Sequence, residues 1–326
     1  MELSILDQSP VSTGKSPREA LQTSIKLAKL GEELGYKRYW IAEHHDLFGL
    51  ACPNPDVMLG VIGAHTNTIR IGAGAVLLPY YKPFRVAETY NLLQTLYPGR
   101  VDLGLGRAPG GSAEVSIALS DNYLKQVNEY PKQIDELLHY LHERFPKDHP
   151  YGKISAAPIP EQPPETWMLG TSEKSGILAA QKGLNYAFGH FMTDFDGPEI
   201  VRAYRDSFTK GKVMVAITVI CAETLEKAEE LALSNFVWRL QQEKMIENCK
   251  IPSVVDAQNY PFTEEDERKI EKMKQKMIIG DSSKVKAEIL TLNELYKADE
   301  MMIVTITHEE EAKFTSYRLL AEEFNR

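Results

Sequence analysis

The sequence predicts an α/β fold, a (β/α)8 TIM barrel, and three observations predict it. Short runs rich in β-branched and aromatic residues alternate with amphipathic helical patterns along nearly the whole chain. Such alternation implies parallel strands joined by right-handed crossovers. Polar and glycine-rich residues gather directly after the runs, where a barrel builds its site. A length of 326 residues suits one such domain spanning residues 1–326, with room for insertions.

Residues 2–6 form the first strand, followed by Asp7-Gln8-Ser9-Pro10. Pro17 opens a helix with Ala20, Leu21, Ile25, Leu27, Ala28 and Leu34 on its apolar stripe, and Gly35 stops it. The second strand is 38–42, then a helix over 55–65. Residues 69–78 are the most apolar strand, ended by Pro79 and Pro83, and a helix over 84–96 leads to the strand 101–106. A long helix is expected over 122–145 and a proline-rich surface excursion over 146–164. Strands five and six are 166–169 and 185–189, with helices over 173–182 and 198–208. Strand seven is 213–221, with a helix over 225–241. A helix over 282–296, strand eight at 301–305 and a helix over 309–324 complete the set. Residues 243–280, with their charged run TEEDERKIEKMKQK, are an insertion after strand seven. That position puts them on the catalytic face, as a lid or as a solvated helical excursion.

Composition excludes several classes. A net charge of −9 argues against nucleic acid as a partner. No apolar run is long enough to span a membrane and no signal-like segment opens the chain, so a cytoplasmic location is expected. Cys52, Cys221 and Cys249 are scattered, which fits neither a disulfide framework nor a thiolate metal site.

Residues that carry chemistry cluster at strand ends. Glu43, His44, His45 and Asp46 follow the apolar run Tyr39-Trp40-Ile41-Ala42. Ionisable groups there are costly unless they line a site. By strand alternation His44 faces one way and Glu43 and His45 the other, where they orient neighbours or serve the barrel–helix interface. Gly72-Ala73-Gly74-Ala75 weakens an otherwise apolar strand, leaving room for a flat ring or for tight packing. Gly104 to Gly111 imitates a dinucleotide fingerprint, but Pro109 stands where its last glycine is required. Arg107 suits a phosphate or carboxylate. Thr171 and Ser172 open a helix, as a phosphate seat or a plain N-cap. His190 follows strand six on the catalytic face and is a second pocket candidate beside Glu43.

Taken in order, Glu43-His44-His45 with Phe48-Gly49, the run from Gly72 to Pro79, Pro83-Phe84-Arg85 with Glu88, and the run from Gly99 to Arg107 resemble the bacterial luciferase-like flavin monooxygenases. The likeness is close over residues 1–110 and looser beyond. It implies FMN, reduced by a separate flavin reductase and arriving by diffusion, and dioxygen. The product would be an oxygenated small organic substrate, formed via a C4a-(hydro)peroxyflavin. It also implies a homodimer, in which 55–65 and 84–96 would take part; sequence alone makes them barrel-packing helices. By position, Gly74-Ala75 fall on a non-proline cis peptide beneath the flavin, and Arg107, Thr171, Ser172 and Ser175 on its phosphate site. His44 falls on the histidine tied to catalysis, and a pKa near neutrality would let it move a proton. Gly106 stands in place of the luciferase cysteine and Thr171 in place of a glutamate, while Pro109 lacks an N–H, so the likeness is to non-luminescent, single-chain members.

Three other readings stay open: a deazaflavin (F420)-dependent oxidoreductase, a non-catalytic flavin-binding protein and a metal-dependent hydrolase. The last is disfavoured because adjacent strand residues do not easily chelate one metal and no HExxH occurs. No metal is expected.

Overall fold

The structure is a computed structural model that describes residues 1–146 and 148–325. Its strands are β1 (Glu2–Asp7), β2 (Arg38–Ile41), β3 (Arg70–Leu77), β4 (Val101–Gly106), β5 (Glu165–Gly170), β6 (Asn185–Gly189), β7 (Val213–Cys221), β8 (Met277–Gly280) and β9 (Glu300–Val304). Helices α1 (Pro17–Glu33), α2 (Pro55–His65), α3 (Pro83–Leu96), α4 (Ala113–Leu119), α5 (Tyr123–Leu141) and α6 (Glu173–Lys182) cover the first half. Then come α7 (Gly197–Ser207), α8 (Leu225–Glu243), α9 (Val254–Gln258), α10 (Glu264–Lys274), α11 (Ser282–Tyr296) and α12 (Glu310–Phe324).

All strand pairings are parallel, and β6 pairs with β7 to close the ring β6-β5-β4-β3-β2-β1-β9-β7. The eight-stranded barrel predicted from alternation is what forms. β8 lies outside it, paired among the described residues only with Thr218 to Cys221 at the far end of β7. The insertion therefore contains a strand the sequence reading lacked: four apolar residues after a charged run carry too little period to stand out. The long helix expected over 122–145 forms as α5, capped by Asn122, and a short helix that the sequence reading lacked, α4, precedes it, capped by Ser112. The proline-rich stretch forms no helix or strand among its described residues.

The apolar strand faces and the helices form one shell, and a second cluster fills the barrel itself. Trp40 and Trp167 meet edge to face there, at 5.7 Å. The glycine-rich strand serves this core. Trp40 and Gly72 are register partners, and a Cβ at Gly72 would stand 2.6 Å from the Trp40 indole nitrogen. Much of the room read as space for a ligand is filled by Trp40. Below the tryptophans an ionic plug closes the N-terminal end. Arg38 reaches Asp102 at 2.8 Å and Glu300 at 2.8 Å, Arg70 reaches Asp102 at 2.5 Å, and the Trp40 N–H donates to Asp102 at 2.9 Å. No helix among the described residues is long and apolar enough to cross a membrane.

Candidate functional site

The C-terminal ends of the strands surround a cavity of about 330 Å3. Leu6 and Trp40 reach it from β1 and β2, Met168 from β5, Ala216 from β7 and Met302 from β9, so its floor is apolar. Past the strand ends the lining turns polar, with His44, Arg107, Thr171, Ser172, Lys174 and Ser175.

The Gly74–Ala75 peptide is cis, as the resemblance implies, and both residues line the cavity. Pairing of β3 with β4 shifts register between Ala73 and Val76, across that peptide. Gly106 lies alongside. A Cβ there would come 2.8 Å from that of Ala75, so no side chain fits without displacement.

Opposite, α6 points its N-terminus at the cavity. Ser172 caps it: its Oγ accepts from Ser175 N–H at 3.4 Å, and Ser175 Oγ accepts from Ser172 N–H at 3.1 Å. Ser175 Oγ also donates to Ser172 C=O at 2.6 Å and lies 2.9 Å from the Tyr186 hydroxyl. The cap leaves the N–H groups of Glu173 and Lys174 at the helix mouth, the usual orphans of a first turn. Arg107 is exposed, and its guanidinium has no ion pair among the described residues. Two cations and a helix N-terminus thus line one cavity with an apolar floor. Lys174 had no part in the sequence reading; a lysine in the first turn of a Ser-capped helix was its available signal.

His44 and Glu43 both line the cavity but differ in state. Glu43 is fully engaged. Its Oε1 lies 2.8 Å from His45 Nε2 and accepts from the Tyr81 hydroxyl at 2.7 Å, while Oε2 accepts from Leu77 N–H at 3.0 Å. It ties the β2 loop to the end of β3 and so orients its neighbours, but the opposite facing expected from alternation does not hold, because β2 ends at Ile41 and Glu43 lines the same cavity as His44. His44 Nδ1, by contrast, is buried without a hydrogen-bond partner. Burial, with the His45 ring in second place, pushes the His44 pKa down to about 4. The expected value near neutrality is therefore corrected: the ring is neutral at ordinary pH because its charged form would be poorly solvated.

His190 does not line the cavity. The 3-10 turn His190–Met192 brings Phe191 and Met192 to it and leaves His190 Nδ1 2.8 Å from the Tyr296 hydroxyl. Its expected place in the substrate pocket is not seen, because Tyr296 on α11 holds the ring away. Gln8 is a lining residue that sequence reasoning passed over, although it follows strand one directly. Among the described residues no three His, Cys, Asp or Glu side chains converge as a metal site would require.

Comparison with known proteins agrees with this fold. The luciferase-like monooxygenase family model matches residues 1–297. YceB of Bacillus subtilis, an uncharacterised protein, is 45% identical over 99% of each chain. The N-acetyl-S-alkylcysteine monooxygenase of Bacillus subtilis is 32% identical over 99% of this chain and 98% of its own. The crystal structure of apo-MsnO8 superposes with a TM-score of 0.91 at 32% identity, over 99% of this chain and 98% of that one.

Proposed function

The chain belongs to the luciferase-like monooxygenase family, and from that premise we propose that it uses reduced FMN and dioxygen to oxygenate a small organic substrate. The observation that carries the flavin reading is the polarity of the cavity. Its floor is apolar, and past the strand ends Arg107, Lys174 and the α6 N-terminus line it. FMN has the same polarity, a flat ring at one end and a phosphate at the other. The orphan first-turn N–H groups and the unpaired guanidinium fit that phosphate. Reduced FMN, when bound, supplies two electrons and activates dioxygen.

The chain's own residues then have definite tasks. Arg107, Lys174 and Ser172 bind the phosphate, with Thr171 and Ser175 beside them. The Gly74–Ala75 backbone backs the ring. Leu6, Phe191 and Met192 exclude water, which protects reactive species from hydrolysis. His44 stays neutral, with Nδ1 free to hydrogen-bond or take a proton, and so acts as a base or a hydrogen-bonding group rather than as an imidazolium acid.

With no nicotinamide fingerprint in the chain, a separate reductase supplies reduced FMN by diffusion. Val57 and Val61 on α2 and Leu92 and Leu96 on α3 are exposed apolar side chains on neighbouring helices, which supports a homodimer through this face. The free cysteines suit a reducing cytoplasm. The relative's S-alkyl substrate is a thioether, and N-acetyl-S-alkylcysteines are the first class to screen here.

Equilibrium titration with FMN, riboflavin and F420 tests the cofactor. FMN is expected to bind more tightly than riboflavin, and Arg107→Ala to weaken FMN by roughly tenfold to hundredfold, the worth of one charge-assisted bond. Riboflavin should be little affected. Binding of F420 in preference to FMN would favour the deazaflavin reading, and binding of neither would sink both.

A further inference from the structure

A second cavity, of about 470 Å3, adjoins the first and shares Gln8, His44, Phe191 and Met192 with it. Trp238 and Arg239 on α8 and Met273 on α10 line it too, so the insertion after β7 supplies part of its wall. His44 and Gln8 stand at the junction. Neither His44 Nδ1 nor the Gln8 amide has a hydrogen-bond partner among the described residues.

The charges in this second cavity are not balanced from within. Lys269 pairs with Glu243 at 3.2 Å, and Lys276 pairs with Asp194. The Arg239 guanidinium has neither an ion pair nor a hydrogen bond among the described residues. Burial pulls its pKa below the ordinary value, against the opposing charge of Glu243. An arginine remains protonated in proteins, so a half-buried cation with no hydrogen-bonded partner faces the cavity, and Lys272, which also lines it, has no ion pair among the described residues either. Its donors are free to bind an anion that enters the cavity. A helix-end role does not account for it. That role would put its N–H groups on the last carbonyls of α8, and it makes no such bond.

We propose that the second cavity is the substrate seat, in which Arg239 holds the carboxylate of a small organic acid while the acid's apolar, oxidisable part extends past Gln8 and His44 towards the flavin cavity. This names the substrate class for the monooxygenase reading and rests on that reading. The planar fork of a guanidinium matches a carboxylate at two points. Leu47, Leu50 and Phe191 provide an apolar surface for the rest of the acid.

Trp238 lines the seat, so its fluorescence reports occupancy. The probes are N-acetyl-S-benzylcysteine and (benzylthio)acetic acid, each paired with its methyl ester, titrated into the full chain. The acids should bind roughly tenfold to hundredfold more tightly than the esters. Arg239→Gln should erase that preference, and Arg239→Lys should keep part of it, which also serves if the glutamine variant does not fold. Equal binding of acid and ester, no binding of either acid, or an Arg239→Gln protein with undiminished acid affinity would overturn the seat. FMN titration on the same protein separates the two levels. FMN binding without acid preference removes the seat alone, whereas failure to bind FMN removes the reading beneath it.

Discussion

His44 differs from a free histidine because its ring is enclosed and its Nδ1 is unpartnered. With a pKa near 4 against an ordinary 6.5, the folded chain takes up this proton later than the unfolded chain as pH falls. The associated stability is fully present above about pH 6.5 and declines as pH drops towards 4. Replacing His44 with Gln should flatten that part of the urea-midpoint profile, and an NMR titration should place the His44 midpoint well below 6. A midpoint near 6.5 would contradict the enclosed, neutral ring. Glu43 gives a different kind of prediction. Glu43→Ala leaves Leu77 N–H and the Tyr81 hydroxyl without their acceptor, and should cost about 1–3 kcal/mol in chemical denaturation. Both residues were legible in the sequence, because polar groups after an apolar strand announce a site. Their states were not, since enclosure and the Tyr81 contact come from other elements. Arg239 was invisible for the same reason: it lies on α8 with no local motif, and only the fold brings it to a cavity that His44 also lines.

At the scale of elements, the ionic plug and the glycine strand show what register adds. Arg38, Asp102 and Glu300 come from β2, β4 and β9 and meet inside the barrel. Glu300 is pushed up by burial, with Arg38 opposing, and the network tolerates this because its charges hydrogen-bond one another. Asp102→Ala leaves Arg38 short of a partner in a buried place, so a loss of about 3–5 kcal/mol is expected by urea unfolding. A loss below about 1 kcal/mol would mean that water or movement relieves the charge, as at an exposed pair. The glycines of β3 left ligand space and tight packing both open, because a strand alone does not show its neighbour. Gly72 makes room for Trp40, its partner on β2, whereas Gly74 and Ala75 do reach the cavity. The capped helix α6 was readable because its signal, Ser172 before a helical run, is local. β8 was not, because four residues carry no usable period.

For the whole molecule, alternation of strands and helices was enough to specify the closed ring, since parallel strands with right-handed crossovers have few other ways to bury both faces. What alternation left unspecified was how the insertion meets the barrel mouth. There α10 and α8 turn one cavity into two connected ones, sharing His44. The exposed valines and leucines of α2 and α3 belong to this scale as well. Light scattering on the full chain should return a dimer mass, and Leu92→Glu with Leu96→Glu should return a monomer that keeps its far-UV spectrum. A monomeric wild-type chain would leave that apolar face without this explanation. The central claim, that the first cavity manages the reaction of reduced flavin with oxygen, has a direct test. The purified protein is mixed anaerobically with photoreduced FMN and then with oxygenated buffer, and flavin absorbance is followed by stopped flow. The account predicts that bound flavin returns to the oxidised form more slowly than free flavin and through a spectrally distinct phase. Reoxidation at the free-flavin rate in a single phase would contradict it.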